Sequence, residues 1–301
     1  LLQNREGLPV RTFERSKALK TTQTDSLIAI GNTNIKVVFS RSTGQLRELI
    51  IKGKEIIAQG QGFVYNNHRW IENDRFQNTS NGLEAAGTCS VEKQRGIVKV
   101  ATTRRGTLCS TEITYTIYPD GVLDIDATFI PQTADLRRCG LVCGINPALC
   151  NVDYYAYGPT ENYNDRKDGC MLGRYTTTVK EMVEQYVKPQ SMGNREGLRE
   201  LKLTDKYGSG VFIQTEGNVS FSTLLYTDQD LMEGKHLWEL RERPDIVLHL
   251  DAAHRGIGNA SCGQDVETLP QYRIPQEKLS YKLRITSAPN QSVFNNNTMC
   301  P

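Results

Sequence analysis

The stretch at 110–129, STEITYTIYPDGVLDIDATF, decides the fold. Ile113, Tyr115 and Ile117 alternate with threonines. Pro119-Asp120-Gly121 has turn chemistry, and Val122, Leu123, Ile125, Ala127 and Phe129 carry the apolar pattern back. A period of two buries one face of a strand, whereas a helix repeats every 3.6 residues. Pro, Asp and Gly between two such runs predict an antiparallel hairpin.

The same period spreads outward from there. Residues 34–40 and 46–51 flank a turn at 41–44, and 96–104 form another strand. Later strands are expected at 211–214, 220–225, 246–251 and 280–286. Helices are scarce. One is expected over Asp228 to His236, with Thr227 and Asp230 at capping-box positions, and a second over Thr178 to Gln185. Many antiparallel strands around one core predict an all-β fold, a large antiparallel sandwich. Residues 1–25 are polar and resemble a linker or arm from an upstream domain. The sandwich is expected over 26–286, and 287–301 as a flexible tail.

The chain has 301 residues, enough for a full core. Lys+Arg number 36 against 34 Asp+Glu, so the net charge of +2 gives no basis for a nucleic-acid or anionic-membrane partner. No apolar run approaches the ~18 residues of a membrane-spanning helix. The eight cysteines form no C-x-x-C pair, so no metal site is expected from them. They fit small buried residues with a bridge or two, and Cys300 fits an exposed free thiol.

The richest chemistry lies at 157–166, YGPTENYNDR, which neither strand nor helix period explains. It sets Glu161, Tyr163, Asp165 and Arg166 together. Aromatic faces, carboxylates and guanidinium groups are what a sugar site requires, because rings stack on C–H faces and charged groups bind paired hydroxyls. A self-contained turn, with Glu161 or Asp165 bonding Arg166, is the plainer expectation. Residues 186–199 carry Gln190, Asn194, Arg195 and Arg199, and the arginines could hold carboxylates of the first loop. Arg69, Asn73 and Asp74 lie in a third segment, His254 and Cys262 in a fourth. His68 and His249 are expected to be structural, and His236 to sit at a helix end.

Four patterns then occur in order: G-P-x-E-x-Y-x-D-R at 158–166, Y-V-x-P-Q-x-x-G-N-R-x-x-x-R at 186–199, D-L-x-x-x-x-H at 230–236, and L-D-x-x-x-x-G-x-G-x-x-S-C-G at 250–263. Together they resemble the small-chain, C-terminal domain of bacterial glycoside hydrolase family 2 β-galactosidases. R-W-x-x-N-D at 69–74 is similar to a further loop of that family, one residue tighter. The resemblance covers about residues 27–286. It implies a supersandwich like that of galactose mutarotase, following immunoglobulin-like domains and a catalytic barrel. It also implies a retaining hydrolysis of terminal β-D-galactosides, with two glutamates and Mg²⁺ located on that barrel. This chain is then non-catalytic and carries no cofactor of its own. Its partners are the barrel, the immunoglobulin-like domains and the β-galactoside. The compartment is either periplasm or cytoplasm.

The resemblance makes Arg69, Asn73, Asp74, Glu161, Tyr163, Asp165, Arg166, Gln190, Asn194, Arg195, His254 and Cys262 the candidate sugar-site or barrel-facing residues. Arg69, Asn73, Tyr163 and Arg166 are expected on an open face, whose exposure would favour a homo-oligomer. Cys262 stands where some members have a Trp, which implies a different leaving-group subsite. A free-standing aldose mutarotase is the competing expectation, pairing His254 or His68 with Glu161, and a carbohydrate-binding module is a third.

Overall fold

A computed structural model of the chain describes residues 7–8, 17–58, 60–72, 74, 82–84, 86–134, 136–258 and 268–289. Strands β1 to β9 run Lys20–Gln23, Leu27–Gly31, Ile35–Ser40, Leu46–Ile51, Lys54–Ile57, Val64–Asn66, Thr88–Gln94, Ile97–Arg104 and Cys109–Tyr118. Strands β10 to β18 run Val122–Pro131, Arg138–Ile145, Asn151–Gly158, Met171–Thr178, Glu200–Thr204, Gly210–Gly217, Ser220–Leu224, Ile246–His254 and Leu279–Ser287.

The deciding hairpin is β9–β10. Leu123 faces Ile117, Ile125 faces Tyr115, and Ala127 faces Ile113. Gly121 closes the turn at φ +96°, a backbone region that side chains resist. From this pair a nine-stranded antiparallel sheet grows, ordered β13-β12-β14-β15-β18-β10-β9-β8-β7. The other nine-stranded sheet runs β1-β2-β3-β4-β5-β11-β17-β16, with β6 also pairing β11. The two apolar faces make one core. Aromatic pairs cross it: Phe39 meets Tyr115 at 5.0 Å, Tyr65 meets Phe129 at 6.1 Å, and Tyr154 meets Phe221 at 5.2 Å.

Several expectations change. The sheet that contains β11 begins with β1, inside the stretch expected to be a connecting arm, and β1 pairs with β2 from Lys20 to Gln23. At the other end Ala288 N–H still donates to Gly210 O at 2.9 Å, and residues 290–301 lie outside the described residues. The expected helix at 178–185 is only a 3₁₀ turn at Lys180–Met182, because β13 continues to Thr178. The other helix, α1, spans Asp228–Glu233 with its capping box formed by Thr227 and Asp230. It stops three residues before His236.

Cys109, Cys139 and Cys143 are buried free thiols, and Cys89 and Cys170 are free and half-buried. Cys150 is disulfide-bonded. Cys262 and Cys300 lie outside the described residues.

Phe129 touches both Tyr65 and Tyr281 and is fully buried. Phe129→Ala is expected to cost about 3–5 kcal/mol of stability. Urea unfolding followed by circular dichroism measures it, and a loss below about 1 kcal/mol would contradict this packing.

Candidate functional site

Alternation along β17 sends Ile246, Leu248, Leu250 and Ala252 into the core. His249 and Asp251 therefore point to the opposite side of the sheet. That side is nevertheless buried, since every residue from Ser191 to Leu198 and from Asn66 to Arg69 is buried with it. Loops roof it, and a charged cluster lies beneath them.

Arg138 on β11 is the centre of this cluster. Its Nη1 donates to Asp228 Oδ2 at 2.8 Å, and its Nε lies 3.0 Å from Asp251 Oδ2. The second contact is a close ion pair whose alignment falls short of a hydrogen bond. His249 Nδ1 lies 3.2 Å from Arg138 Nη1. Burial and the neighbouring guanidinium push His249 down to about 3, so it is neutral. Burial raises Asp228, but Arg138, the histidine neighbours and the Ser191 hydroxyl together outweigh it and hold that carboxyl below the usual range. Burial wins at Asp251, raising it to about 7. Asp228 Oδ1 also accepts from Ser191 Oγ. Ser191 exchanges two 2.7 Å hydrogen bonds with the Trp70 backbone, which ties the 186–199 loop to the 66–72 segment.

The remaining loops are held in the same way. Asp74 accepts from Arg69 Nη2 at 2.9 Å and from Arg137 Nε at 2.8 Å. Arg69 Nη1 donates to Arg255 O at 2.5 Å. Asp165 accepts from the Ile257 and Gly258 backbones at 3.0 and 2.7 Å. A Cβ at Gly256 would sit 2.5 Å from the Asp165 carboxyl carbon, so this approach requires glycine. Asn162 and Asn194 join their loops through the Asn162 N–H to Asn194 O and the Asn194 Nδ2 to Asn162 O bonds, both 2.8 Å. Glu161 takes the Gly193 N–H at 3.0 Å and the Tyr163 hydroxyl at 3.2 Å on Oε2. It takes Arg166 Nη2 and the Tyr186 hydroxyl on Oε1.

The candidate residues thus meet, but most of them face inward. Arg69 and Tyr163, expected on an open face, are each 1% exposed. The reason is that loops roof the polar side of the sheet and turn their long side chains beneath it. Arg166 is exposed, while Gln190 and Asp165 are half-buried. Asn73 and Cys262 lie outside the described residues. Among the described residues Arg195 and Arg199 meet other groups of the fold. Arg195 Nε donates to Pro159 O at 3.0 Å, and Arg199 lies over the Tyr155 ring at 5.1 Å. His254 is buried with its ring 5.2 Å from that of Tyr163, and burial pushes it well below its ordinary value. A polar groove of about 560 Å³ opens above, lined by Thr160, Glu161, Arg166, Lys167, Cys170 and Tyr186 among others. Among the described residues no three His, Cys, Asp or Glu side chains gather as a metal site.

Arg138, Arg137, Asp228 and Glu196 escaped the sequence reading. The available signal was the Arg137-Arg138 pair entering an apolar strand, since a buried charge demands carboxylates elsewhere. Glu196 accepts from Asn194 Nδ2 at 2.9 Å, and burial raises it from 4.5 to about 7. The folded state therefore binds its proton more tightly than the unfolded chain does. That stabilisation is full below about 4.5 and is lost as pH rises through about 7. The loss is on the order of 3 kcal/mol. Glu196→Gln keeps the acceptor and removes the titration. It is expected to change the melting temperature little at pH 5 and to raise it at pH 8. Equal effects at both pH values would contradict the assignment.

The paired nine-stranded sheets, with polar loops over one of them, define a protein of the galactose mutarotase-like supersandwich class. The galactose 1-epimerase structure from Lactobacillus acidophilus matches at a TM-score of 0.53 and 11% identity, covering 90% of this chain and 99% of that one. Within this class the chain belongs to the β-galactosidase small-chain family, whose description is "Beta galactosidase small chain" and whose pattern matches residues 31–285. A β-galactosidase of Actinobacillus pleuropneumoniae is 30% identical over 302 residues, covering 94% of this chain and 28% of its own length. One from Priestia megaterium is 26% identical, covering 85% and 26%. The chain thus spans about a quarter of the length of these relatives.

Proposed function

We propose that this chain is the non-catalytic C-terminal domain of a retaining β-galactosidase, and that its groove face closes one side of the sugar site of a catalytic barrel. One observation carries this reading. Three carboxylates of the loop segments are already engaged: Glu161 by Arg166, Tyr186, Tyr163 and Gly193, Asp165 by two backbone N–H groups, and Asp74 by two arginines. A retaining glycosidase needs two carboxyl groups about 5–5.5 Å apart, one free to attack and one to exchange a proton. Carboxylates saturated by structural donors are poorly suited to either task, so the nucleophile, the acid and the Mg²⁺ are assigned to the barrel.

The engaged groups hold the groove lining instead. Glu161 fixes the Tyr186 hydroxyl and the Arg166 guanidinium at the rim, a rigid polar edge for a partner domain or a sugar hydroxyl. Cys262, at a position where a Trp would stack on the aglycone, leads us to assign a different leaving-group preference to the parent enzyme.

Cys170 reports on this arrangement, because its free thiol lines the groove and is half-buried. Alkylation of Cys170 is expected to proceed in the chain alone and to slow strongly once the catalytic barrel is bound, with mass spectrometry as the readout. Unchanged labelling in a complex verified by sedimentation would show that another face meets the barrel.

A further inference from the structure

Trp238, in the loop that follows α1, is 79% exposed, and its surroundings are charged. Lys235, Glu239, Arg241 and Glu242 flank it in the chain and are all exposed. The indole is nevertheless held firmly. It sits in the 3₁₀ turn Leu237–Glu239. Glu239 Oε2 accepts from the Lys235 and His236 backbones at 2.8 and 3.3 Å. His236 stacks on the indole with ring centroids 4.1 Å apart and planes 10° from parallel. Leu240 packs on the Met192, Leu224 and Leu231 cluster, and Arg243 N–H donates to Leu225 O at 2.9 Å. The turn is therefore anchored at both ends while its largest apolar ring stays in water.

We propose that Trp238 is a stacking platform for a pyranose ring, with His236 backing one indole face and the other face open to the sugar. A protein-docking hot spot packs its aromatic residue inside a ring of further contacts that exclude water. Here the neighbours are charged and solvated. One rigid aromatic face with hydrogen-bonding groups beside it matches a hexopyranoside, whose axial C–H bonds make one apolar face and whose hydroxyls point outward. The site is separate from the groove lining and does not rest on the role assigned to it.

The chain has only two tryptophans, so its indole N–H spectrum contains a Trp238 signal and a Trp70 signal. Trp70 is half-buried with the Lys188 ammonium 5.8 Å from its ring. Titrating the full chain with methyl β-D-galactopyranoside, and separately with its gluco counterpart, is expected to move the Trp238 signal saturably with at least one of them, while Trp70 stays in place. Measured by titration calorimetry, since these variants lack the reporting indole, Trp238→Ala should weaken binding about tenfold or more, as loss of one aromatic stack implies, and Trp238→Phe should retain part of it. An unchanged Trp70 signal in both variants confirms that they fold. No saturable shift with either sugar overturns the proposal. So does broadening of the Trp238 signal with protein concentration alone, which would identify a self-association surface.

Discussion

A guanidinium at the middle of a sheet has to be neutralised, and Arg138 imposes that condition on the whole loop side of the molecule. Removing a charge from water costs several kcal/mol unless partners replace the solvent. Asp228 and Asp251 supply them, one from the start of α1 and one from β17. Asp228 in turn fixes Ser191, and Ser191 fixes the Trp70 backbone. Helix, strand and two loops thus converge on one cation. Such a network gives little net stability compared with an apolar core. It does tie β11, β17, α1 and two loops to one centre.

Around that centre the loops follow one rule. Asp74, Glu161 and Asp165 each accept hydrogen bonds from a different segment, so they act as fasteners. Tyr163 is buried between the Glu161 carboxylate and the His254 ring. This filling distinguishes the chain from an open cleft in which a histidine and a glutamate could face a sugar. What remains accessible is the rim: Arg166, Lys167, Tyr186 and Cys170. The structural polar groups and the exposed polar groups are therefore sorted by depth.

The sandwich was legible because its decisive hairpin has one buried face, and period two then appears in the residues themselves. β17 was only partly legible, since loops cover its second face and its burial is continuous to Ala252. Its last three residues, Ala252 to His254, lack an alternating pattern to extend it. The motifs at 158–166 and 186–199 and the described part of that at 250–263 lie together in the structure, while 259–263 fall outside the described residues. The motifs did not show which way their side chains point. Arg69 was expected to face outward and is buried, because besides the nearby Asp74 it bonds Arg255 O, a contact across the fold that sequence spacing does not reveal. Arg195 was expected to bind a carboxylate and instead donates to the Pro159 and Asn194 carbonyls, because a loop leaves backbone acceptors that need a donor within its reach.

The central claim is that this polar cluster builds a rigid face and leaves the chemistry to another domain. Hydrolysis of a chromogenic β-galactoside tests it most directly, measured with the chain alone and after mixing with the catalytic portion of the enzyme produced separately. The account predicts no turnover by the chain alone and turnover on mixing. Turnover by the chain alone, abolished by Glu161→Gln in a folded variant, would contradict it.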